Sequence, residues 1–432
     1  MGRYNKAGFL VALVMFPALL FAQFNNNTSS PYSRYGLGEL HSYSFGRSTA
    51  MGGASIASRN NQQINIANPA SFDAIDSLGF MFEFAVDGKA SNFKNDVGSA
   101  SFTDVNFQYF AMNFQISNRI GASLGLVPFT DVGYNVVVDQ EIENTGSVRT
   151  TYYGAGTISN AYIGIAFVPF KNFSVGVNLN YYFGMLNRNG EVQFLSASDF
   201  YYLQQYKSLR VNDFSFDFGL QKTFQLENRN KLILGVVFEN NPKYNAKYSD
   251  ITQKNLSSGS VVDQDTLFFA EEEKGIVEFP VTYGFGISFV KENKLEINAD
   301  YYHQSWSDAN FLGSKSNFLT DLNKFAVGAE WIPDKFSIQS FTSRIAYRAG
   351  LKYEHTYLAF INPITKEKQP INDFGITFGV GLPVYRSKST INVAAELGKK
   401  GTTDNNLVLE NYFRLNLMVN LYDLWFIKRR FD

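Results

Sequence analysis

The sequence predicts an all-β protein: a transmembrane antiparallel β-barrel of about 14 strands with an N-terminal plug, or hatch. Three observations predict this fold. Apolar and polar residues alternate through most of the chain, the connections between the alternating segments differ in length, and the first segment is typical of an exported protein.

The alternation has a period of two residues. Phe214, Phe216 and Phe218 alternate with Ser215 and Asp217, and the runs 295–301 and 413–421 follow the same pattern. Because successive strand side chains point to opposite faces, each segment has one apolar and one polar face. Such rings could instead fill a soluble core. About fourteen segments spaced roughly 25 residues apart favour a barrel, since soluble sandwiches repeat about every 8–12 residues.

The predicted connections are short and long in turn. Short ones lie near 117–119, 169–172, 225–230, 291–293 and 383–388, and long ones near 88–101, 139–156, 187–210, 241–276, 304–322 and 358–370. The connection 333–342 is a moderate exception. Short turns on one side and long loops on the other are typical of outer-membrane barrels, in which closure also removes unpaired strand edges.

The start of the chain predicts export. Arg3 and Lys6 precede an uncharged apolar run from Ala7 to Phe21, which is too short for a typical membrane span. We therefore expect a signal peptide over residues 1–22, with an N-terminal anchor helix as the alternative. No other stretch has eighteen uncharged apolar residues, so we expect no membrane-spanning helix.

Composition excludes several function classes. The 38 Lys and Arg residues nearly balance 39 Asp and Glu residues, which argues against a nucleic-acid partner. The absence of cysteine removes disulfides, thiolate zinc sites and cysteine nucleophiles. The histidines, His41, His303 and His355, lack metal-ligand spacing. We expect no enzyme, no cofactor and no metal site, and the enzymatic alternative is a lipase using His303 with Ser305 or Ser307.

Residues 23–78 lack the two-residue period and contain many small residues, which permit tight turns and close packing. This segment could hang in the periplasm or fill the barrel. Because a barrel of fourteen strands would leak if it were empty, we expect a hatch over 23–78 and the barrel over 79–432.

Two short runs in this segment resemble a known family. The Gly-Gly-Ala-Ser run that begins at Gly52 and Gly53, followed by Asn68, Pro69 and Ala70 before the first strand, resembles the hatch of FadL-type outer-membrane long-chain fatty acid transporters. The run SPYSRYGLGEL over 30–40 is similar to the branch of this family in Bacteroidetes-type bacteria. The resemblance implies the outer membrane of a Gram-negative bacterium.

The family resemblance also implies an inward kink in the third strand, through which hydrophobic cargo leaves sideways into the membrane. The third predicted strand, 120–140, contains Pro128 and Gly133. Proline cannot donate a ladder hydrogen bond and glycine permits a bulge, so these residues are candidates for the kink. The alternative is an ordinary bulge at the barrel rim.

In the family, two long external loops form a first apolar landing site for ligand. The matching loops here are rich in large apolar side chains, which are typical of a binding surface when they are exposed. Packing of the two loops into a lid is the alternative. The candidate residues are Phe194, Leu195, Phe200, Tyr201, Leu203, Leu267, Phe268 and Phe269.

The function that the resemblance implies is passive uptake of long-chain fatty acids or other hydrophobic molecules, with fatty acids and outer-membrane lipids as partners. A second hypothesis is a non-transporting adaptor subunit of an outer-membrane protein secretion or barrel-assembly complex. A sealed wall at the third strand, with the apolar loops directed at a partner protein, would favour the adaptor.

Overall fold

The computed structural model describes residues 27–41, 44–143, 146–195, 201–240, 242–258, 261–312, 314–362, 366–385 and 387–424. The predicted signal peptide and its cleavage site lie outside the described residues. No helix in the described part of the chain is long and apolar enough to cross a membrane.

The chain forms strands almost throughout its length. In chain order the strands are β1 Glu39–Leu40, β2 Gly79–Lys94, β3 Ser99–Ser117, β4 Ile120–Ile142, β5 Gly146–Phe170, β6 Phe173–Phe194, β7 Tyr201–Gln225, β8 Asn230–Glu239, β9 Lys243–Ser258, β10 Val261–Glu278, β11 Thr282–Lys291, β12 Leu295–Gln304, β13 Asn310–Phe311, β14 Ser314–Lys315, β15 Leu322–Trp331, β16 Ala346–Ile361, β17 Lys368–Pro383, β18 Thr390–Lys400 and β19 Leu409–Leu424. Short 3-10 helices occupy Pro31–Arg34, Gly46–Met51, Pro69–Ala74, Glu227–Arg229, Trp306–Asp308 and Asp404–Asn406, and a single α-helical turn occupies Phe341–Arg344.

Within the described residues, fourteen of these strands close an antiparallel ring in the order β2 to β8, β11, β12 and β15 to β19. The ring closes because β19 pairs with β2 from Leu409 opposite Lys94 to Leu424 opposite Gly79. The predicted barrel of about 14 strands is therefore confirmed.

The two faces of the wall are the reverse of those of a soluble sheet protein. In β7, Phe214 is 57% exposed and Phe216 47%, whereas Ser215 between them is 6% exposed. Large apolar side chains therefore point away from the barrel and polar ones point into it, as a membrane-embedded wall requires.

The two ends of the barrel differ in the length of the connections between strands. At one end, β5 and β6 are joined by Lys171 and Asn172, and Asn172 has a φ of +63°, which suits a two-residue hairpin turn. At the other end, several predicted long loops continue as hairpins: β2 and β3 remain paired up to Lys94 opposite Ser99. We call these the short-turn end and the long-loop end.

One element departs from the prediction. In the region 241–276, predicted as a loop with the next strand starting near 277, the described residues form the paired strands β9 and β10. The wall strand β11 starts at Thr282 instead. Pro280 lies between β10 and β11, and it separates them because proline cannot donate a hydrogen bond to a ladder. The alternating pattern around Val277 therefore belongs to the hairpin.

Candidate functional site

The described part of the N-terminal segment lies against the inward, polar face of the wall. Inward-facing wall glycines receive its backbone, and a Cβ atom added at any of them would lie 2.1–2.3 Å from an atom of the segment. These wall positions are Gly121, Gly176, Gly219, Gly235, Gly328 and Gly350. They lie on six different strands, so the segment touches the wall on several sides. Sequence reasoning missed these glycines, although a glycine inside a strand commonly marks close approach of another backbone.

The predicted hatch residues lie at two of these contacts. Gly52 follows the 3-10 helix Gly46–Met51 with a φ of +68°, and a Cβ there would lie 2.3 Å from the carbonyl oxygen of Leu351. Both the left-handed backbone and the close wall therefore require glycine. Gly53 continues the turn with a φ of +87°.

The second predicted run, Asn68 to Ala70, begins the 3-10 helix Pro69–Ala74. The side-chain oxygen of Asn68 accepts a hydrogen bond from the backbone N–H of Ala70, and its amide donates to the carbonyl of Ile56 at 2.8 Å. It also donates to the carbonyl of Leu220 in β7 at 3.3 Å. Asn68 thus caps its own helix and attaches it to the wall.

A buried ion cluster holds the segment to the wall near the short-turn end. The Arg47 guanidinium pairs with Glu296 of β12 and donates to Glu330 of β15 at 2.7 Å, and Arg348 donates to the other oxygen of Glu330 at 2.7 Å. Burial lowers the pKa of Arg47, but the two carboxylates outweigh burial and raise it. Separating Arg47 from these carboxylates would leave buried charges without a partner, so the ion pairs hold the segment in place.

A second ion cluster lies at β1. Glu39 contacts Lys89 of β2 at 3.1 Å and Lys400 of β18 at 3.2 Å. Burial raises the pKa of Glu39, but Lys400 and Lys89 outweigh burial and hold it well below its ordinary range. Neither cluster could be identified from sequence, because the partners are separated by tens to hundreds of residues.

The wall is interrupted between β3 and β4. Their ladder runs from Ser117 opposite Ile120 to Phe110 opposite Leu126 and then stops, while β4 stays paired with β5 along its whole length. From Val127 to Tyr134 every residue of β4 is buried, although alternate residues of a membrane-facing strand are normally exposed. This stretch of β4 is therefore covered on both faces.

Pro128 marks the change, and Gly133 lies further along the same stretch. The register of β4 against β5 shifts between Pro128 and Thr130, so Phe129 is the extra residue of a bulge. Its ring packs on Phe279 with ring centres 5.2 Å apart. Gly133 pairs regularly with Ala155, and its backbone N–H donates to the hydroxyl of Ser33.

Residues 27–41 occupy the interruption. On one side, the hydroxyl of Ser29 donates to Asp104 of β3 at 2.9 Å. On the other side, β1 pairs with β4, with Leu40 opposite Thr130, and the backbone N–H of His41 donates to the carbonyl of Phe129 at 2.9 Å. The N-terminal segment therefore bridges the two strands that the ladder leaves apart.

Two cavities of the described interior differ in size and lining. The first, about 720 Å³, opens at the short-turn end and is lined mainly by charged and polar side chains. A second cavity of about 60 Å³ lies beside Ile56, Phe129 and Leu322. Sites for small ligands commonly measure about 300–1,000 Å³, so the second is far below that range.

Packed aromatic side chains fill the space toward the long-loop end. Trp306 lies 4.8 Å from Tyr357 between ring centres, and both belong to one buried cluster with Leu37, Phe129 and Tyr182. This cluster joins the N-terminal segment, β4 and the strand ends, and it closes the interior on that side.

The described landing residues lie on strands, except Leu195, which directly follows β6. Leu195, Leu203, Leu267, Phe268 and Phe269 are exposed, and Phe194 is half-buried at the end of β6. The backbone of Tyr201 pairs with Leu256, because the first half of β7 pairs with β9. Phe200 lies outside the described residues.

The hairpin of β9 and β10 leaves an open edge. β10 pairs with β9 on one side, and on its other side its only ladder partner among the described residues is Phe311, opposite Val277. Six consecutive residues, 264–269, are exposed, so side chains of both faces reach solvent. An exposed apolar edge of this kind can accept another strand.

The described residues include no group of three potential metal ligands. His303 contacts Asn323 at 2.9 Å and Ser305 at 3.2 Å, which satisfies its ring nitrogens at the end of β12.

Solved structures with a similar fold include a hydrocarbon channel, a toluene transporter and a FadL homologue. The monoaromatic hydrocarbon channel CymD is 15% identical, with 89% of this chain and 97% of that chain covered and a TM-score of 0.55. The toluene transporter TodX of Pseudomonas putida is 15% identical, with 90% and 100% covered and a TM-score of 0.55. A FadL homologue of Pseudomonas aeruginosa is 11% identical, with 88% and 97% covered and a TM-score of 0.53. At these identities the likeness establishes the fold alone.

No curated protein matches the chain in sequence. The model of one protein family, BamG, matches residues 5–432, which is nearly the whole chain. The protein therefore belongs to the BamG family.

Proposed function

We propose that this protein is a non-transporting barrel subunit of an outer-membrane complex for protein secretion or barrel assembly, in a Gram-negative bacterium of the Bacteroidetes type. In this proposal residues 1–22 direct export, residues 23–78 plug the barrel and the remainder forms its wall. The observation that carries the proposal is the filled interior, because a channel needs a path for its cargo.

The contacts of the plug support a permanent closure. Arg47 and Glu39 each join two or more charged groups of the wall, and both are buried in ion clusters. Removing one member of such a cluster leaves an unpaired buried charge, which costs several kcal/mol. A plug held in this way resists displacement by an apolar cargo, which gains about 0.8 kcal/mol for each methylene removed from water.

The position of the open β10 edge favours a protein partner over lipid. Phe269 is opposite Ile251 of β9, which is opposite Tyr206 of β7. Tyr206 precedes Phe214, the first exposed phenylalanine of β7, by eight residues, or about 27 Å along the strand. The exposed apolar residues of β10 thus lie well beyond the apolar belt of the wall, where a partner strand can reach them.

A second candidate is passive uptake of long-chain fatty acids or other hydrophobic molecules, with lateral exit between Pro128 and Gly133. It is favoured by the end of the β3–β4 ladder at Leu126, and by a fold shared with CymD and TodX. Transport would require residues 27–41 to leave the interruption between the strands, and cargo to pass the aromatic cluster at Trp306.

Isolation of the complex tests the first candidate. A tagged chromosomal copy, extracted in mild detergent from the native host, should retain a stoichiometric protein partner. Phe268→Asp should reduce recovery of the partner, whereas Val97→Asp, at the still more exposed tip between β2 and β3, should not. Recovery of the barrel alone, with bound lipid, would overturn the proposal.

Uptake of a fluorescent long-chain fatty acid separates the two candidates. Cells lacking the protein and cells with the gene restored should take up the probe at equal rates. Faster uptake in restored cells, lost when residues 27–41 are locked to β4, would establish the transporter instead.

A further inference from the structure

The cavity of about 720 Å³ at the short-turn end carries an excess of positive charge. Its lining includes nine basic and five acidic side chains. Clefts lined by one sign of charge concentrate ligands of the opposite sign, because low-dielectric walls focus the field.

The acidic residues are largely used by neighbours. Asp73 pairs with Arg59 at 2.5 Å, Asp76 pairs with Lys388 at 2.5 Å, and Glu330 is shared by Arg47 and Arg348. Arg47 also pairs with Glu296. These contacts neutralise four of the nine cations inside the cavity lining.

Five lining cations have no ion pair within the part of the chain that the structure describes: Lys231, Lys291, Lys294, Lys335 and Arg344. They come from adjacent parts of the ring, namely the start of β8, the end of β11 with the turn that leads to β12, and the connection between β15 and β16. The five cations therefore form one continuous arc around the opening of the cavity, which we call the cationic mouth.

Two members of this arc are already partly removed from water. Lys335 is half-buried, and burial lowers its pKa, with Arg47 and Lys388 acting in the same direction and Glu330 and Glu292 opposing. The Nε atom of Arg344 is buried without a hydrogen-bond partner among the described residues. An anion in the cavity would satisfy both groups.

The geometry of the ring favours a polypeptide over a membrane lipid as the source of that anion. Turns from opposite sides of the barrel line the cavity, including Asn172 between β5 and β6 and Ser387 between β17 and β18. A membrane lipid reaches only the outside of this ring, since its chains must stay with the apolar outer face. A water-borne polypeptide can enter along the barrel axis, and the short-turn end of such barrels faces the periplasm.

We infer that this mouth binds an acidic, extended segment of a periplasmic protein. The segment's carboxylates would lie against the arc of Lys291, Lys294, Lys335 and Arg344, where charge-assisted hydrogen bonds are strong. The inference deepens the proposed function and rests on it, because it supplies the periplasmic partner that a subunit of a larger complex requires.

Binding of a fluorescein-labelled hexaglutamate to the purified full-length protein in detergent tests the inference by fluorescence anisotropy. The combined variant Lys291→Gln, Lys294→Gln and Lys335→Gln should bind at least about tenfold more weakly, and added salt should weaken binding to the unaltered protein. A matched variant at the long-loop end, with Lys207→Gln, Lys274→Gln and Lys366→Gln, should bind as the unaltered protein does. Labelled hexalysine should not bind at the mouth.

Three results would overturn the inference: equal affinity of the mouth variant, equal binding of hexalysine, or lysine-dependent binding of anionic lipid vesicles without binding of hexaglutamate. The last would assign the site to a lipid headgroup. If peptide binding fails while a partner still copurifies with the barrel, the proposed function stands and only the inference fails. If the restored cells take up fatty acid while peptide binding persists, the proposed function fails and the binding of acidic peptide stands.

Discussion

Arg47 of the N-terminal segment donates a hydrogen bond to Glu330 of β15 at 2.7 Å, and both side chains are buried. The two residues are 283 positions apart in sequence. Glu330 also accepts from Arg348 at 2.7 Å, so one carboxylate joins the segment to two neighbouring strands. Arg47 and Glu330 both line the cavity at the short-turn end.

The first prediction concerns this contact. Arg47→Gln leaves Glu296 and Glu330 with less compensation in a buried site, and loss of one partner of a buried pair costs about 3–5 kcal/mol. We expect faster amide hydrogen exchange and faster proteolysis of residues 27–78. Lys243→Gln is the control, because Lys243 is exposed in its pair with Glu278, and pairs at the surface contribute at most about 1 kcal/mol. Unchanged exchange in Arg47→Gln would show that the cluster does not hold the segment.

A second prediction concerns Gly52. Gly52→Ala forces a left-handed backbone on alanine and places its Cβ 2.3 Å from the carbonyl oxygen of Leu351. We expect a loss of about 1–3 kcal/mol or more in the free energy of unfolding, measured by urea titration in lipid vesicles. Gly98→Ala should change this free energy by less than about 0.5 kcal/mol, since a Cβ there meets nothing within 4 Å. Equal effects of the two substitutions would contradict the packing of the segment against β16.

A third prediction uses the absence of cysteine from the chain. Leu40→Cys with Thr130→Cys places two thiols on directly opposite residues of β1 and β4, within the separation that a disulfide spans. We expect the bond to form in mild oxidant and to shift the band on non-reducing gels. Leu40→Cys with Val105→Cys should not link, because Val105 lies on β3 and is exposed on the outer face. Linking of the control pair alone would place the segment elsewhere.

A fourth prediction concerns pH. Burial lowers the pKa of His41, but Asp131, which lies 2.5 Å away, raises it more, with Asp87 adding and Arg414 opposing, so the pKa lies above its ordinary value of 6.5. The stabilisation is complete below pH 6.5 and is lost as pH rises through the raised value. Hydrogen exchange of residues 27–41, corrected for its intrinsic pH dependence, should show less protection at high pH. His41→Gln should abolish this pH dependence, and its persistence in the variant would assign the effect to another group.

Part of this architecture could be predicted from the residues alone. The alternation in runs such as 214–221 identified the wall, because a strand has a fixed period of two and a membrane wall must expose its apolar face. The short turns were likewise predictable from local composition. The β9–β10 hairpin was not, since an extended loop hairpin carries the same period as a wall strand and only Pro280 separates the two.

By itself, the sequence determined a closed, two-faced β wall with a separate N-terminal segment, because side-chain alternation is a local property of the chain. Only the tertiary structure decided that residues 27–41 bridge β3 and β4, that Arg47 meets Glu330, and that five cations without an ion pair among the described residues line one cavity. These contacts join residues far apart in sequence, and their partners follow from the register and closure of the ring, which no local pattern encodes.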